Sequence, residues 1–180
     1  SLQGLDDANQ HPTIAQKLIG GLVIYNEPPS LRRAIRERIL AAQITAQFGR
    51  TQVMEWYLNS AHFGNYAYGV EAASQLYFGK AVEQLTLAES AILAAASESP
   101  ALNPLDAPQV ALQRGREVLY VLNGLGIVSD EATEIALAEE PEIRASTEDN
   151  ANQPDPEPAP AFVNMVLAQL DTQLPRDRVE

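Results

Sequence analysis

The chain has 180 residues, 12 of them basic and 24 acidic, with a formal net charge of −12 and a pI near 4.5. Its 46% hydrophobic content is enough to build a core, its apolar runs are too short to cross a membrane, and no secretory leader pattern is present. The absence of cysteine excludes disulfides and thiolate metal sites, two histidines make a His-rich site a poor expectation, and −12 taken whole argues against nucleic acid or an anionic membrane as partner.

That charge is unevenly spread. Residues 1–90 hold seven basic and eight acidic side chains, whereas 91–180 hold five and sixteen. Five arginines (Arg32, Arg33, Arg36, Arg38, Arg50) face a single acid, Glu37, between 31 and 50. A cationic patch is therefore embedded in an acidic chain.

In chain order, Pro28-Pro29 ends whatever precedes it, and Ser30 is the candidate N-cap of a helix over 31–48. Leu31, Ile35, Ile39, Ala42 and Ala46 recur at helical spacing and predict the core face, with Gly49 as the stop. A second helix is predicted over 51–58, with Val53, Met54, Tyr57 and Leu58 inward. His62 to Gly69 reads as an ordered, aromatic-rich loop. Helices follow at 70–77, at 86–96 (Thr86 and Glu89 at capping-box spacing), at 108–123 and at 130–139 behind Ser129. No segment alternates with period two, so the fold class is mostly α with no substantial β-sheet. Residues 145–160 carry four prolines at alternate positions and predict a solvated linker; 161–180 predict a C-terminal helical segment.

The 31–48 helix also carries Leu40 and Ile44 opposite its main stripe, in the same sector as Arg33 and Glu37. Apolar residues on two sides predict burial between layers. A carboxylate there is pushed up by desolvation and down by the adjacent guanidinium, the setting of an active-site acid. An ordinary i,i+4 surface pair explains the same spacing.

Several segments, taken together, resemble glycosyltransferase family 51, the peptidoglycan glycosyltransferase domain of class A penicillin-binding proteins. They are Arg33-Ala34-Ile35-Arg36-Glu37, then Phe48 to Asn59 with Glu55, Tyr57 and Asn59, then Phe63 to Ala73, Tyr77-Phe78-Gly79-Lys80 and Leu85-Thr86-Leu87-Ala88-Glu89. Upstream, Thr13-Ile14-Ala15-Gln16-Lys17-Leu18 is similar to that family's Thr-x-Thr-Gln-Gln-Leu motif. The resemblance implies a lysozyme-like helical fold and polymerisation of lipid II with inversion, at the extracytoplasmic face of the bacterial cytoplasmic membrane. By the same resemblance Glu37 is the catalytic candidate. Arg33, Arg36, Thr13, Gln16, Lys17 and Asn59 are the substrate-binding candidates, with Glu55 and Asn59 bracing the cleft. The implied cofactor is at most a divalent cation, Mg or Mn, with no metal ligand assigned. The implied partners are lipid II and the nascent glycan strand, not nucleic acid. Residues 1–144 then form a partial glycosyltransferase domain, and 145–180 lead toward a transpeptidase domain in a membrane-anchored protein, the present chain itself being soluble.

The departures are specific. The family's first motif, Glu-Asp-x-x-Phe, supplies the catalytic base, and residues 1–12 contain Asp6, Asp7 and His11 but no glutamate. Pro12, Ala15, Lys17 and Ala34 replace Ser, Thr, Gln and Lys of the motifs. This chain is therefore expected to be an inactive piece of a polymerase. Two alternatives remain: a non-catalytic relative that binds glycan or lipid II, and a lysozyme-like glycan-cleaving enzyme with Glu37 as its acid.

Overall fold

Thr13 starts the first described helix by closing a capping box. Its hydroxyl accepts from Gln16 N at 3.2 Å, and Gln16 Oε1 accepts from Thr13 N at 3.0 Å. The computed structural model describes residues 12–144, so the expected linker over 145–160 and the segment 161–180 lie outside the described residues. The described chain divides into two compact units, 12–60 and 61–144. Among the described residues there is no strand; one isolated antiparallel bridge joins His62 and Tyr68.

The first unit pairs α1 (Ile14–Leu22) with α2 (Leu31–Ser60). Helix α1 is absent from the sequence reading, although its Thr-x-x-Gln start is a capping signal. Ser30 caps α2 as expected, its Oγ accepting from Arg33 N at 3.1 Å. Gly49, at φ 78, breaks α2 into two arms, and the second arm runs to Ser60 rather than ending at Leu58. The core comprises Leu18 and Ile19 of α1, Ile24, and Leu40, Ala41, Ile44, Val53 and Trp56 of α2. Phe48 meets Trp56 edge to face at 4.9 Å, a contact that adds about 1 kcal/mol beyond its buried area.

This packing corrects two expectations. The predicted core face is the outer face: Leu31, Ile35 and Ile39 are 72%, 50% and 53% exposed, and Ala42 and Ala46 are exposed too. The opposite side, Leu40 and Ile44, is the buried one, so α2 is covered on one side and does not lie between layers. On the second arm Val53 is buried, but Trp56 replaces Met54 and Leu58 as the inward residue.

The second unit holds α3 (Val70–Phe78), α4 (Leu87–Glu98), α5 (Pro108–Gly124) and α6 (Asp130–Ala138), with short 3-10 turns at Val82–Gln84 and Pro100–Leu102. Phe63, Tyr77, Phe78, Ile92 and Leu93 form its core, while Tyr57 of the first unit and Tyr68 are only half-buried. The Tyr77 hydroxyl donates to Phe63 O at 2.8 Å, and burial raises its pKa well above the ordinary phenol value. Helix α5 crosses α4 so closely that a Cβ on Gly115 would lie 2.7 Å from Ile92 Cγ1.

Glu89 closes the α4 capping box and is 1% exposed. Its carboxylate accepts from Lys80 Nζ at 2.6 Å and from Thr86 N at 2.9 Å. The hydrogen bond to Glu89 is the main reason the Lys80 ammonium titrates above its ordinary value. Glu89→Ala removes the cap's reciprocal half and one buried partner together. A loss of about 2 kcal/mol is expected in urea unfolding, against about 1 kcal/mol for Glu89→Gln, which keeps an acceptor.

Glu71 sits in the first turn of α3 and reaches forward to cap the next turn. Its carboxylate accepts from Val82 N at 2.9 Å and Gln75 Nε2 at 3.2 Å, and the Val82 bond foremost holds its pKa below 4.5. A depressed carboxylate stabilises the fold above its unfolded pKa and loses that contribution as pH falls through its lower folded value. The stability difference between the wild type and Glu71→Gln is therefore expected to be full at pH 7, to begin shrinking near pH 4.5, and to be smallest at pH 3. A constant difference across denaturation curves at those pH values would contradict this origin.

Candidate active site

The turn between α1 and α2 brings the α2 cations to one place. Glu27 N donates to Ile24 O at 3.0 Å, folding residues 23–27 back under the start of α2. The Glu27 backbone oxygen accepts from Arg33 Nη1, and its carboxylate accepts from Arg36 Nη1 at 2.5 Å. Arg33 and Arg36, three residues apart, thus lie on one side of the helix and converge on one anchor. Arg36 Nε is buried without a hydrogen-bond partner. Glu37 is half-buried beside them, and its Oε2 lies 3.4 Å from where a Cβ on Gly20 would sit. A Cβ at position 20 would just reach van der Waals contact with that carboxylate.

The other expected residues lie elsewhere in this unit. Thr13 and Gln16 line an open cavity of about 680 Å³, with Arg38, Thr45 and Arg50 as its remaining polar groups and Ala41, Ala42, Ala46, Val53 and Met54 among its apolar walls. Arg33, Arg36 and Glu37 do not line it. Much of the polarity of Thr13 and Gln16 is spent on capping α1. Lys17 is half-buried one turn along α1. Asn59 is exposed near the end of α2, and Glu55 accepts from Gln52 Nε2 at 3.0 Å; neither joins the arginine cluster or the cavity wall.

Sequence reasoning missed Glu27, Gly20, Arg38 and Arg50 as parts of these two places. The Glu27 contacts span six and nine positions through a turn, which helical periodicity does not register. Among the described residues no group of three or more His, Asp or Glu side chains is placed to hold a metal ion. Glu27 is committed to Arg36, and the Glu37 carboxylate faces Gly20 with no second carboxylate beside it, so these residues do not suit a divalent cation.

Two guanidinium groups held side by side make a fork for paired anionic oxygens such as those of a diphosphate. With the half-buried Glu37 on the same helix they form a cationic site on a helical scaffold. Similarity to known proteins identifies the family. The transglycosylase family profile matches residues 11–123, and the chain belongs to that family. Penicillin-binding protein 1A of Aquifex aeolicus is 44% identical over 126 residues, covering 69% of this chain and 17% of that protein. The Pseudomonas aeruginosa protein of the same name is 36% identical over 128 residues, covering 71% and 16%. The chain thus spans less than a fifth of the length of these curated relatives. A crystal structure of penicillin-binding protein 1A from Haemophilus influenzae shares the fold, with a TM-score of 0.50 at 23% identity over 93% of this chain and 21% of that one. The mostly α, lysozyme-like fold class expected from the sequence is therefore the one found.

Proposed function

We propose that this chain is the glycan-polymerising part of a longer, membrane-anchored cell-envelope protein with a transpeptidase domain. In this reading the complete protein, not the 180-residue piece alone, transfers the glycan of one lipid II molecule onto another at the extracytoplasmic face of the membrane. The observation that carries the reading is the joint tethering of Arg33 and Arg36 beside Glu37. The adjoining face of the same helix exposes Leu31, Ile35 and Ile39. Lipid II pairs a diphosphate with a long apolar tail, and these two faces suit its two parts.

In the reaction, the acceptor 4-hydroxyl forms a bond to C1 of the donor sugar as the bond from C1 to the diphosphate oxygen breaks. The departing diphosphate gains negative charge, and the guanidiniums of Arg33 and Arg36 stabilise it where it develops. Glu37, one helical turn after Arg33, is placed to orient that cation once the diphosphate is bound. The proton of the attacking hydroxyl goes to a base outside the Arg33–Glu37 cluster.

A second reading is a non-catalytic binder of lipid II or glycan. It is favoured by Pro12, Ala15, Lys17 and Ala34 at family motif positions and by the use of Thr13 and Gln16 as a cap. The deciding experiment expresses the complete reading frame that contains this chain and supplies lipid II with Mg²⁺. Polymeric glycan is the expected product. Retention of lipid II without polymer would establish the binder, and soluble muropeptides released from purified peptidoglycan would establish a glycan-cleaving enzyme.

A further inference from the structure

We propose that Glu27 is a positioning residue that presents Arg33 and Arg36 as a pair to the diphosphate, an inference that rests on the functional reading above. Two arginines three positions apart on a helix repel one another, and each loses side-chain freedom when an anion orders it. Glu27 addresses both difficulties from outside the helix. Its backbone oxygen takes one Nη of Arg33 and its carboxylate takes one Nη of Arg36 at 2.5 Å. The turn that holds it is set by the hydrogen bond from Glu27 N to Ile24 O and by the fixed φ of Pro28 and Pro29. Each guanidinium is only partly buried and keeps further Nη N–H donors for a ligand.

The carboxylate has two opposing effects. Its negative charge weakens the attraction of the pair for an anion, while its hydrogen bond orders Arg36 in advance. Glu27→Gln and Glu27→Ala remove the charge equally, but only glutamine keeps an oxygen that accepts from Arg36. The comparison between these two variants therefore isolates the tether.

The test titrates inorganic pyrophosphate into the full 180-residue chain, as wild type, Glu27→Gln and Glu27→Ala, by calorimetry. The Arg36 Nε–H resonance is followed in parallel by NMR. Expected are binding by Glu27→Gln at least as tight as wild type and binding by Glu27→Ala about three- to tenfold weaker than by Glu27→Gln. The Arg36 signal should stay distinct in wild type and Glu27→Gln and collapse toward that of free arginine in Glu27→Ala. Equal affinities for the two variants, with wild type binding, would overturn the positioning role alone. A wild type that shows the ordered Arg36 signal but binds no pyrophosphate would overturn the diphosphate reading of the site, and the positioning role with it.

Discussion

Arg33→Ala in the complete enzyme should lower the rate of glycan polymerisation by about 10²-fold or more, the size of effect seen when one preorganised charge donor is removed from a transition state. Glu37→Gln should cost turnover on a similar scale, within the 10²–10⁴ range of an essential ionisable group. In both variants the loss should fall mainly on kcat, because the charge these groups stabilise develops as the bond to diphosphate breaks. The fold should survive. Arg33 and Glu37 share the sector of Leu40 and Ile44 that faces the first helix, but both are only half-buried, and partly solvated charges contribute about 1 kcal/mol or less. Polymerisation assays alongside urea unfolding separate the two effects. A loss of more than roughly 3 kcal/mol in Glu37→Gln would identify a structural buried pair instead.

The largest stability effect is expected at Gly64, in the loop of the second unit. Gly64 has φ +92, and a Cβ there would lie 2.4 Å from Pro100 O and 2.7 Å from Asn103 Nδ2. Neither neighbour can move freely. Asn103 is 1% exposed, and its Oδ1 accepts from Asn65 Nδ2, Leu105 N and Asp106 N at 3.0–3.1 Å. Its Nδ2 donates to Pro100 O at 2.9 Å and to Asp106 Oδ2 at 2.7 Å. Gly64→Ala thus combines backbone strain with a clash inside a saturated hydrogen-bond network, and should destabilise by about 3–5 kcal/mol. Gly49→Ala provides the control. Its φ is +78 and ψ 166, a region essentially restricted to glycine, but nothing lies within 4 Å of its Cβ, so backbone strain of about 1–3 kcal/mol acts without a clash. Equal unfolding midpoints for the two variants would show that the Asn103 network yields.

Helix ends were largely legible in the sequence. Ser30, Thr86, Ser129, Pro108 and Gly49 each act through bonds or torsions within a few residues, and each marks a boundary or break where expected. The one missed helix, α1, carries the same kind of signal in Thr13 and Gln16. The same two residues resemble a substrate motif, but in the structure their polar atoms close the cap of α1.

The site divides along the same line. The Arg33–Glu37 spacing is local to one helix, so its residues could be named from the chain alone. The anchoring of Arg33 and Arg36 to Glu27 needs the turn folded back, and the cavity at Thr13 and Gln16 needs α1 laid against the middle of α2. Neither arrangement has a signature in spacing.

By itself, then, the sequence determined the helical class, the helix boundaries and the arginine-dense segment on which the functional reading stands. Capping, proline and glycine torsions and i,i+4 spacing are short-range and survive any rearrangement of the rest. Only the tertiary structure decided which side of α2 is the core. That helix is apolar on two faces, and periodicity weighs Leu31, Ile35 and Ile39 against Leu40 and Ile44 without knowing where a partner will lie. Burial comes from the packing of α1 on Leu40 and Ile44, which leaves the longer stripe facing outward beside the arginines.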